Sequence, residues 1–241
     1  MGYLQRLEQV AGELGIRFPD FDCPPVGQTA GELSVGLKIV QLLQPKVIVE
    51  IGSAEGGHVY LLSSVLDKRK RHIIITIDPW SERTKYGKHY KKYLKCMKML
   101  KKACPHIDYY HIRGESQSEM TLKQLKVMLK DIGCNIGFLL IDGAHSKNVV
   151  LADWKNYSPL VEDKGLIGFH DVIVYKSVAA AWQEITTSLD KKHSTIVIAR
   201  KGRPLLRGFI QPVELGLGYI YKDKLPQNVK VFFETEHKGY T

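Results

Sequence analysis

The chain has 241 residues, of which 44% are hydrophobic and 25% are charged, and its formal net charge is +10. This composition is typical of a globular protein, and the length fits one α/β domain with additions. No apolar run approaches the ~20 residues of a membrane span and the N-terminus lacks a signal-peptide core, so we expect a cytoplasmic protein without a membrane span.

The first 28 residues are predicted to form a helical cover. Four apolar residues recur at helical spacing in residues 3–14, namely Leu4, Leu7, Val10 and Leu14, and three prolines interrupt residues 18–28. Thr29-Ala30-Gly31-Glu32 then has the pattern of a capping box, which predicts a second helix that ends before Pro45.

A ligand loop is predicted directly after the first strand. Residues 47–51 form a short β-branched run typical of a buried strand, and G-S-A-E-G-G follows at residues 52–57. Glycines permit close backbone approach, and the next helix would direct its N–H groups at a ligand. The loop nearly fits a dinucleotide fingerprint, with Ala54 at the middle glycine position, and a purely structural turn is a further alternative. Glu50 favours a cationic ligand, because a carboxylate at this position repels phosphate.

A second buried strand, residues 73–77, ends in Asp78, which is placed to bind a ribose diol. Trp80 follows, either to stack on a base or to pack in the core. Residues 81–105 then hold nine basic residues and one acid. This segment is either a solvated helix face or a patch that attracts an acidic substrate, nucleic acid or a membrane surface. Its apolar residues recur at helical spacing and predict a stripe that packs on the core: Tyr86, Tyr90, Leu94, Met97 and Leu100.

Polar residues follow each of the next three predicted strands. Ser116 follows residues 107–112, where it would meet an adenine edge or cap the next helix. Further acids and histidines follow residues 136–141 and 166–169, namely Asp142, His145, His170 and Asp171. Because ligands in open α/β sheets lie beyond the carboxyl ends of the strands, we expect these side chains to share one crevice with the glycine loop and Asp78.

The order of the predicted elements indicates an α/β, Rossmann-like fold. A helix at residues 178–189 and strands at 195–199 and 217–221 complete a repeated β-α pattern. This pattern predicts a mostly parallel seven-stranded sheet with helices on both faces and an antiparallel C-terminal hairpin. The apolar patch at residues 229–233 is expected to pack against the sheet or against a partner subunit in a homo-oligomer.

Two segments together resemble the class I S-adenosylmethionine-dependent methyltransferases. They are E-I-G-S-x-x-G-G at residues 50–57 and L-L-I-D-G-A-H through F-H-D-V at residues 139–172. The second segment is similar to the small-molecule O-methyltransferases that include cephalosporin-hydroxylase-like, macrolide-sugar and aminocoumarin enzymes. The likeness covers about residues 29–189, and it implies a methyltransferase domain over 29–221, with 1–28 as the N-terminal cover and 222–241 as a C-terminal tail.

The resemblance implies S-adenosylmethionine as the cofactor and gives each matching residue a role. The methionine part would be held by Glu50, Gly52, Ser53 and Gly56. Asp78 would bind the ribose hydroxyls, and Ser116 would meet the adenine region.

The same resemblance implies a divalent cation, Mg²⁺ or Mn²⁺. Relatives bind it through the acid after strand four and acids after strand five, which correspond to Asp142 and Asp171. His170 stands where relatives carry a carboxylate, so this set departs from the family pattern and leaves the identity of the metal open.

We therefore expect an O-methyltransferase that moves a methyl group to a hydroxyl of a small molecule of the sugar or phenolic type. Asp142 and Asp171 would hold a cation that lowers the pKa of that hydroxyl, and His145 would be the general base. The structural alternatives are a helix cap or a packing residue for His145 and a core imidazole bonded to backbone for His170. Two further functions stay open: methylation of RNA or another polyanion through residues 81–105, and a non-catalytic binding module that retains the fold.

Overall fold

The computed structural model describes residues 3–80, 87–199, 201 and 213–236. The helices in these ranges are α1 Tyr3–Leu14, α2 Ala30–Leu43, α3 Gly57–Val65, α4 Gly87–Ala103, α5 Glu119–Ile132, α6 Lys147–Tyr157, α7 Lys176–Ser188 and α8 Gln227–Glu236. The strands are β1 Val47–Ile51, β2 His72–Asp78, β3 Ile107–Arg113, β4 Ile136–Ile141, β5 Val161–His170, β6 Ser194–Ile198 and β7 Leu217–Tyr221. None of the described helices is long and apolar enough to cross a membrane.

The seven strands form one sheet in the order β3-β2-β1-β4-β5-β7-β6. Strands β1 to β5 pair in parallel, whereas β7 lies antiparallel to both β5 and β6. The predicted Rossmann-like fold is therefore confirmed. In register, Ile51 pairs with Ile77 on one side and with Ile141 on the other. The residues that follow β1, β2 and β4 consequently leave the sheet side by side at its carboxyl edge.

Helices cover both faces of the sheet, because the branched apolar residues of the parallel strands are buried on both sides. One apolar layer contains side chains of α1, α2, α3, α4 and α8, and the other contains side chains of α5, α6 and α7. Val229 and Phe232 of α8 are buried in the first layer, so the C-terminal apolar patch packs within the chain.

Two elements differ from the sequence prediction. Strand β5 begins at Val161, five residues early, because residues 162–164 are polar and exposed and conceal its start. In α4 the buried stripe contains Tyr93, Met97 and Leu100, whereas Leu94 is 40% exposed, so the prediction of Leu94 as a core residue was wrong. Residues 81–86 of the basic segment, including Tyr86, lie outside the described residues.

The capping box at the start of α2 is present and extends further than the sequence indicated. Thr29 Oγ1 accepts the Glu32 N–H at 3.3 Å, and the Thr29 N–H and hydroxyl donate to Glu32 Oε2. The other oxygen, Oε1, accepts from the N–H groups of Leu215 and Gly216 at 3.2 and 2.7 Å. One fully buried carboxylate thus joins the start of α2 to the segment that leads into β7.

Candidate active site

The glycine loop lies between β1 and α3 and is held by short contacts to its neighbours. Gly52 has a φ of 90° and Gly56 a φ of 85°, conformations that favour glycine. A Cβ on Gly52 would lie 2.0 Å from the Asp142 carbonyl oxygen, and a Cβ on Gly57 would lie 2.4 Å from the Pro25 carbonyl oxygen. The loop is therefore packed against both the end of β4 and the N-terminal cover.

Glu50 is buried beneath this loop, and its two carboxylate oxygens differ in their contacts. Its Oε1 lies 3.4 Å from His58 Nδ1, and its Oε2 has no hydrogen-bond partner among the described residues. Burial raises the pKa of Glu50, and His58 opposes that shift. The hydroxyl of Ser53 is likewise buried and has no partner in the described part of the chain. Since such atoms are costly to leave unpaired, they are suited to bind polar groups of a ligand.

Asp78 stands at the tip of β2 and accepts two backbone hydrogen bonds. Its Oδ2 accepts from the Ala54 N–H at 3.0 Å and its Oδ1 from the Trp80 N–H at 2.8 Å. Burial raises its pKa, and these two bonds oppose the shift. The side chain is only partly buried and each oxygen keeps a further lone pair, so Asp78 fits the predicted ribose contact.

Trp80 packs in the core, which decides between the two roles that its sequence context allowed. Its side chain is 1% exposed and its ring lies 4.5 Å from that of Tyr93. The indole Nε1–H donates to the Ala54 carbonyl at 2.7 Å. Trp80 therefore supports the glycine loop from below.

Ser116 belongs to a partly buried network that the sequence did not reveal. Gln117 Nε2 donates to the Ser116 hydroxyl and, at 3.2 Å, to Asp153 Oδ1. The Tyr157 hydroxyl donates to the Ser116 carbonyl at 2.6 Å. Helix α5 is capped at Ser118, so a capping role for Ser116 is wrong.

Asp153 is the unexpected member of this network. Burial raises its pKa to about 6, against hydrogen bonds from Ser116 and Gln117 that lower it. Its Oδ2 has no partner in the described part of the chain and faces Gly143 after β4. The buried face of α6 consists of Val150, Asp153 and Tyr157, so an acid at an apolar position of the helical pattern was the signal that could have identified it.

The two acids and two histidines after β4 and β5 form a continuous chain of contacts. His145 Nε2 lies 2.9 Å from Asp171 Oδ2, and His170 Nδ1 lies 3.1 Å from the same oxygen. His170 Nδ1 also lies 3.0 Å from Asp142 Oδ1. The predicted crevice therefore contains all four side chains. His145 precedes Ser146, the cap residue of α6, so the helix-cap role for His145 is wrong.

These contacts change the acidity of each partner. The hydrogen bond to Asp171 raises the pKa of His145, although burial opposes the shift. Burial lowers the pKa of His170, but Asp142 and Asp171 outweigh it and raise the value. Burial alone would raise the pKa of Asp171, but both histidines outweigh it and hold the value at about 2. Asp171 is therefore ionised, and both imidazoles bind a proton more tightly than a free imidazole does.

The donor set fits a cation. Asp142, His170 and Asp171 each offer one ligand atom, and these atoms lie within 4.8 Å of one another. Because a ligating imidazole must be deprotonated, a metal at Asp142 and Asp171 would compete with the proton on His170 Nδ1. Mixed oxygen and nitrogen donors suit Mn²⁺, Fe²⁺ or Zn²⁺, whereas Mg²⁺ prefers oxygen ligands.

An exposed apolar loop lies beside this cluster. Asp171 has a left-handed φ of 61°, and the chain continues through Ile173, Val174 and Tyr175, whose side chains are 39%, 43% and 44% exposed. The Tyr175 ring stacks on the His145 imidazole with centroids 4.3 Å apart and planes 16° apart. Tyr175 was not predicted as a site residue, because nothing in its local sequence links it to His145.

The N-terminal cover lies near the other side of the cluster. A Cβ on Gly27 would lie 4.0 Å from His170 Cε1, and the neighbouring Gln28 is buried with its Oε1 unpartnered among the described residues. The cover segment thus approaches both the glycine loop and the histidine and carboxylate cluster.

Comparison with known proteins adds a family and a fold. Residues 49–172, just over half of the chain, match the family model described as a methyltransferase domain. No curated protein matches the chain in sequence.

The chain is similar in structure to the O-methyltransferase TomG from Streptomyces achromogenes, solved with S-adenosylmethionine. The TM-score is 0.57 at 14% identity, over 90% of this chain and 89% of that one. An O-methyltransferase from Bacillus cereus, solved with S-adenosylhomocysteine, gives 0.56 at 15% identity over 91% and 90%. An rRNA methylase from Streptococcus thermophilus gives 0.50 at 13% identity over 80% and 96%. At these identities the likeness establishes the fold.

Proposed function

The chain belongs to the methyltransferase-domain family, and from that premise we propose that it is an S-adenosylmethionine-dependent O-methyltransferase acting on a hydroxyl of a small molecule. The observation that carries the proposal is the contact between the glycine loop and the end of β4, at Gly52 and Asp142. It sets a loop suited to a methyl donor directly beside a cluster suited to deprotonate an acceptor. Solved fold relatives with S-adenosylmethionine or S-adenosylhomocysteine support the choice of donor.

The donor would be bound by residues at the ends of β1, β2 and β3. Glu50 Oε2 and the Ser53 hydroxyl would bind polar groups of the methionine part, Asp78 the ribose hydroxyls, and Ser116 with its network the adenine region. S-adenosylmethionine, when bound, would supply the methyl group of its sulfonium to the acceptor oxygen, because the sulfur keeps the electron pair of the broken C–S bond and becomes a neutral thioether. Close alignment of the acceptor then accounts for much of the rate, since the displacement is in line.

His145 would be the base, acting through Nδ1. Its Nε2 is committed to Asp171 at 2.9 Å, which fixes the tautomer that leaves Nδ1 as the acceptor of the hydroxyl proton. Asp171 then stabilises the imidazolium that forms. The side chain of His145 is 39% exposed, so an acceptor hydroxyl has access to it.

Calorimetry with S-adenosylhomocysteine and transfer of a labelled methyl group test the proposal. We expect Glu50→Gln and Asp78→Asn to weaken S-adenosylhomocysteine binding by tenfold or more, because each removes a charged hydrogen-bond acceptor. His145→Gln and Asp171→Asn should leave that affinity within about threefold, yet lower transfer to phenolic or sugar acceptors by about 10²–10⁴-fold. His193→Gln is the matched control, since His193 also contacts an aspartate carboxylate, that of Asp190, at 2.6 Å.

Failure of the wild-type chain to bind S-adenosylhomocysteine would contradict the proposal and favour a non-catalytic module. Full methyl transfer by both His145→Gln and Asp171→Asn would contradict the catalytic assignment alone.

A divalent cation is part of the same proposal. Asp142 and Asp171, with His170, would hold it, and it would lower the pKa of the acceptor hydroxyl. Removal of metal by EDTA should lower methyl transfer, and Mg²⁺ or Mn²⁺ should restore it. Mn²⁺ binding, followed directly by electron paramagnetic resonance, should be lost in Asp142→Asn. Unchanged transfer after EDTA, together with no Mn²⁺ binding, would remove the cation from the mechanism.

A further inference from the structure

Helix α4 presents a stripe of positive charge that the proposed chemistry does not use. Its 17 residues include no acid and seven exposed lysines, namely Lys88, Lys91, Lys92, Lys95, Lys98, Lys101 and Lys102. At 3.6 residues per turn, all of them except Lys101 fall within about one third of the helix circumference. These six lysines, called the lysine stripe below, follow one side of the helix over nearly its whole length.

The lysine stripe repels itself. Lys88 and Lys92, Lys91 and Lys95, and Lys98 and Lys102 are each four residues apart, which places like charges side by side and disfavours the helix. Glu55 of the glycine loop relieves one of them, with its Oε1 2.7 Å from Lys92 Nζ. The charge along the rest of the stripe is not balanced by acids of the helix itself, so an external anion would stabilise it.

The burial of α4 limits the classes of anion that the lysine stripe can bind. Tyr93, Met97 and Leu100 are buried in the core, so the helix has no free apolar face to insert into a lipid surface. Leu94 is the one exposed large apolar side chain on the described part of α4. A protein partner would be expected to meet aromatic residues and arginine, since lysine is depleted from protein interfaces. A row of lysines, as point charges without a planar fork, suits phosphate groups.

We propose that the lysine stripe binds the phosphate backbone of a nucleic acid. Lysine contacts to phosphates position a strand without reading its sequence, so binding should be strong at low salt and weakly selective. Because Lys92 contacts Glu55, the N-terminal part of the stripe lies beside the glycine loop, and a bound strand would pass the side of the crevice that is proposed to hold the methyl donor. This inference goes beyond the proposed small-molecule activity and does not depend on it.

The test compares two triple variants of the full chain that change the net charge equally. Lys91, Lys95 and Lys98 are replaced by glutamine in one variant, and the exposed α5 residues Lys123, Lys126 and Lys130 in the control. Fluorescence anisotropy measures binding of a labelled 20-nucleotide single-stranded RNA, and of single-stranded DNA of equal length, over a series of salt concentrations. Lys92 is left unchanged because it contacts the glycine loop.

We expect the α4 variant to bind at least tenfold more weakly at low salt. The slope of its log binding constant against log salt concentration should decrease in magnitude by about 2, or about 0.7 for each lost phosphate contact. The α5 control should change affinity less than twofold. Equal losses with RNA and DNA would identify the backbone alone as the target, and a loss confined to RNA would assign the stripe to RNA. S-adenosylhomocysteine affinity should stay unchanged in both variants, and neither should unfold at a lower temperature than the wild type, since the α4 variant loses like-charge repulsion.

Three outcomes would overturn the proposal. The first is that the wild-type chain binds neither strand at low salt. The second is that the two triple variants weaken binding alike. The third is that vesicles with anionic lipid bind the wild-type chain more tightly than both nucleic acids do, and that the α4 variant loses this binding.

Discussion

Gly52 lies directly against the backbone of Asp142, so closely that a Cβ on Gly52 would be 2.0 Å from the Asp142 carbonyl oxygen. The Asp142 N–H also donates to the Ile51 carbonyl at 2.9 Å. The loop after β1 and the acid after β4 are therefore fixed to each other by main-chain contacts. The part of the site proposed to bind the methyl donor and the part proposed to bind the methyl acceptor therefore cannot move apart without breaking the sheet at its carboxyl edge.

This contact makes Gly52→Ala a severe change. Alanine would need both a φ of 90° and space that the Asp142 carbonyl occupies, so we expect a loss of at least 2–3 kcal/mol in the free energy of unfolding, together with loss of S-adenosylhomocysteine binding. Chemical denaturation and calorimetry measure the two effects. Gly133→Ala is the matched control, because Gly133 also has positive φ but a Cβ there would have no neighbour within 4 Å. Equal destabilisation by both variants would show that φ strain alone matters.

Tyr175 is predicted to position His145. The stacked ring holds the imidazole in the plane that meets Asp171, so Tyr175→Ala should lower kcat about tenfold while S-adenosylhomocysteine affinity is unchanged. Tyr175→Phe keeps the ring and should retain kcat within about twofold. If Phe and Ala variants lose activity equally, the hydroxyl and not the stacking is the relevant feature.

Asp153 should give the fold a measurable pH dependence. Its folded pKa of about 6 is above the ordinary value of 3.8, so the folded state favours the protonated acid. Below pH 4 the side chain is protonated in both the folded and the unfolded state, so it does not change the free energy of unfolding. As pH rises from 4 to 6 the unfolded state ionises more readily than the folded state, and the free energy of unfolding falls by roughly 3 kcal/mol above pH 6. Asp153→Asn should gain stability relative to wild type over that window in urea denaturation.

The exposed acid Asp131 on α5 provides the control for this experiment, since Asp131→Asn should leave the pH profile of stability unaltered. A wild-type minus Asp153→Asn difference that is constant from pH 4 to 7 would contradict the assigned burial of the charge.

Glu32 is predicted to matter for stability beyond its capping role. Both oxygens accept hydrogen bonds, so Glu32→Gln would turn one of them into a donor that faces other N–H or O–H donors. We expect a loss of roughly 2–4 kcal/mol in urea denaturation. Thr29→Ala, which removes only the hydroxyl of the cap, should cost about 1 kcal/mol. A smaller effect for Glu32→Gln than for Thr29→Ala would show that the bonds to residues 215–216 contribute little.

The parts of the site that the sequence predicted are those with local signals. Each of three acids stands at the end of a short apolar run, namely Glu50, Asp78 and Asp142. The strand-to-loop pattern that predicts them spans only a few residues. The parallel order of the strands then brings them together without further information. The same reasoning placed His170 and Asp171 in the crevice.

The remaining contacts join residues far apart in the chain, where local pattern has no information. Glu32 meets Gly216 across 184 positions, and Gln117 meets Asp153 across 36. The stacking of Tyr175 on His145 likewise depends on how α6 and α7 are packed. The exposure of Leu94 shows a similar limit, because two apolar stripes one residue apart fit the sequence of α4 equally well.

The position of β7 has a consequence for how the chain acquires its structure. Strand β6 is made before β7, yet within the described sheet β7 is its partner and stands between it and β5. Until residues 217–221 have left the ribosome, β6 has no neighbour in this sheet and β5 exposes one edge to other chains. The sheet is thus completed only when β7, the last of the described strands, has been made, and a nascent chain stopped before Leu217 is expected to be prone to aggregation.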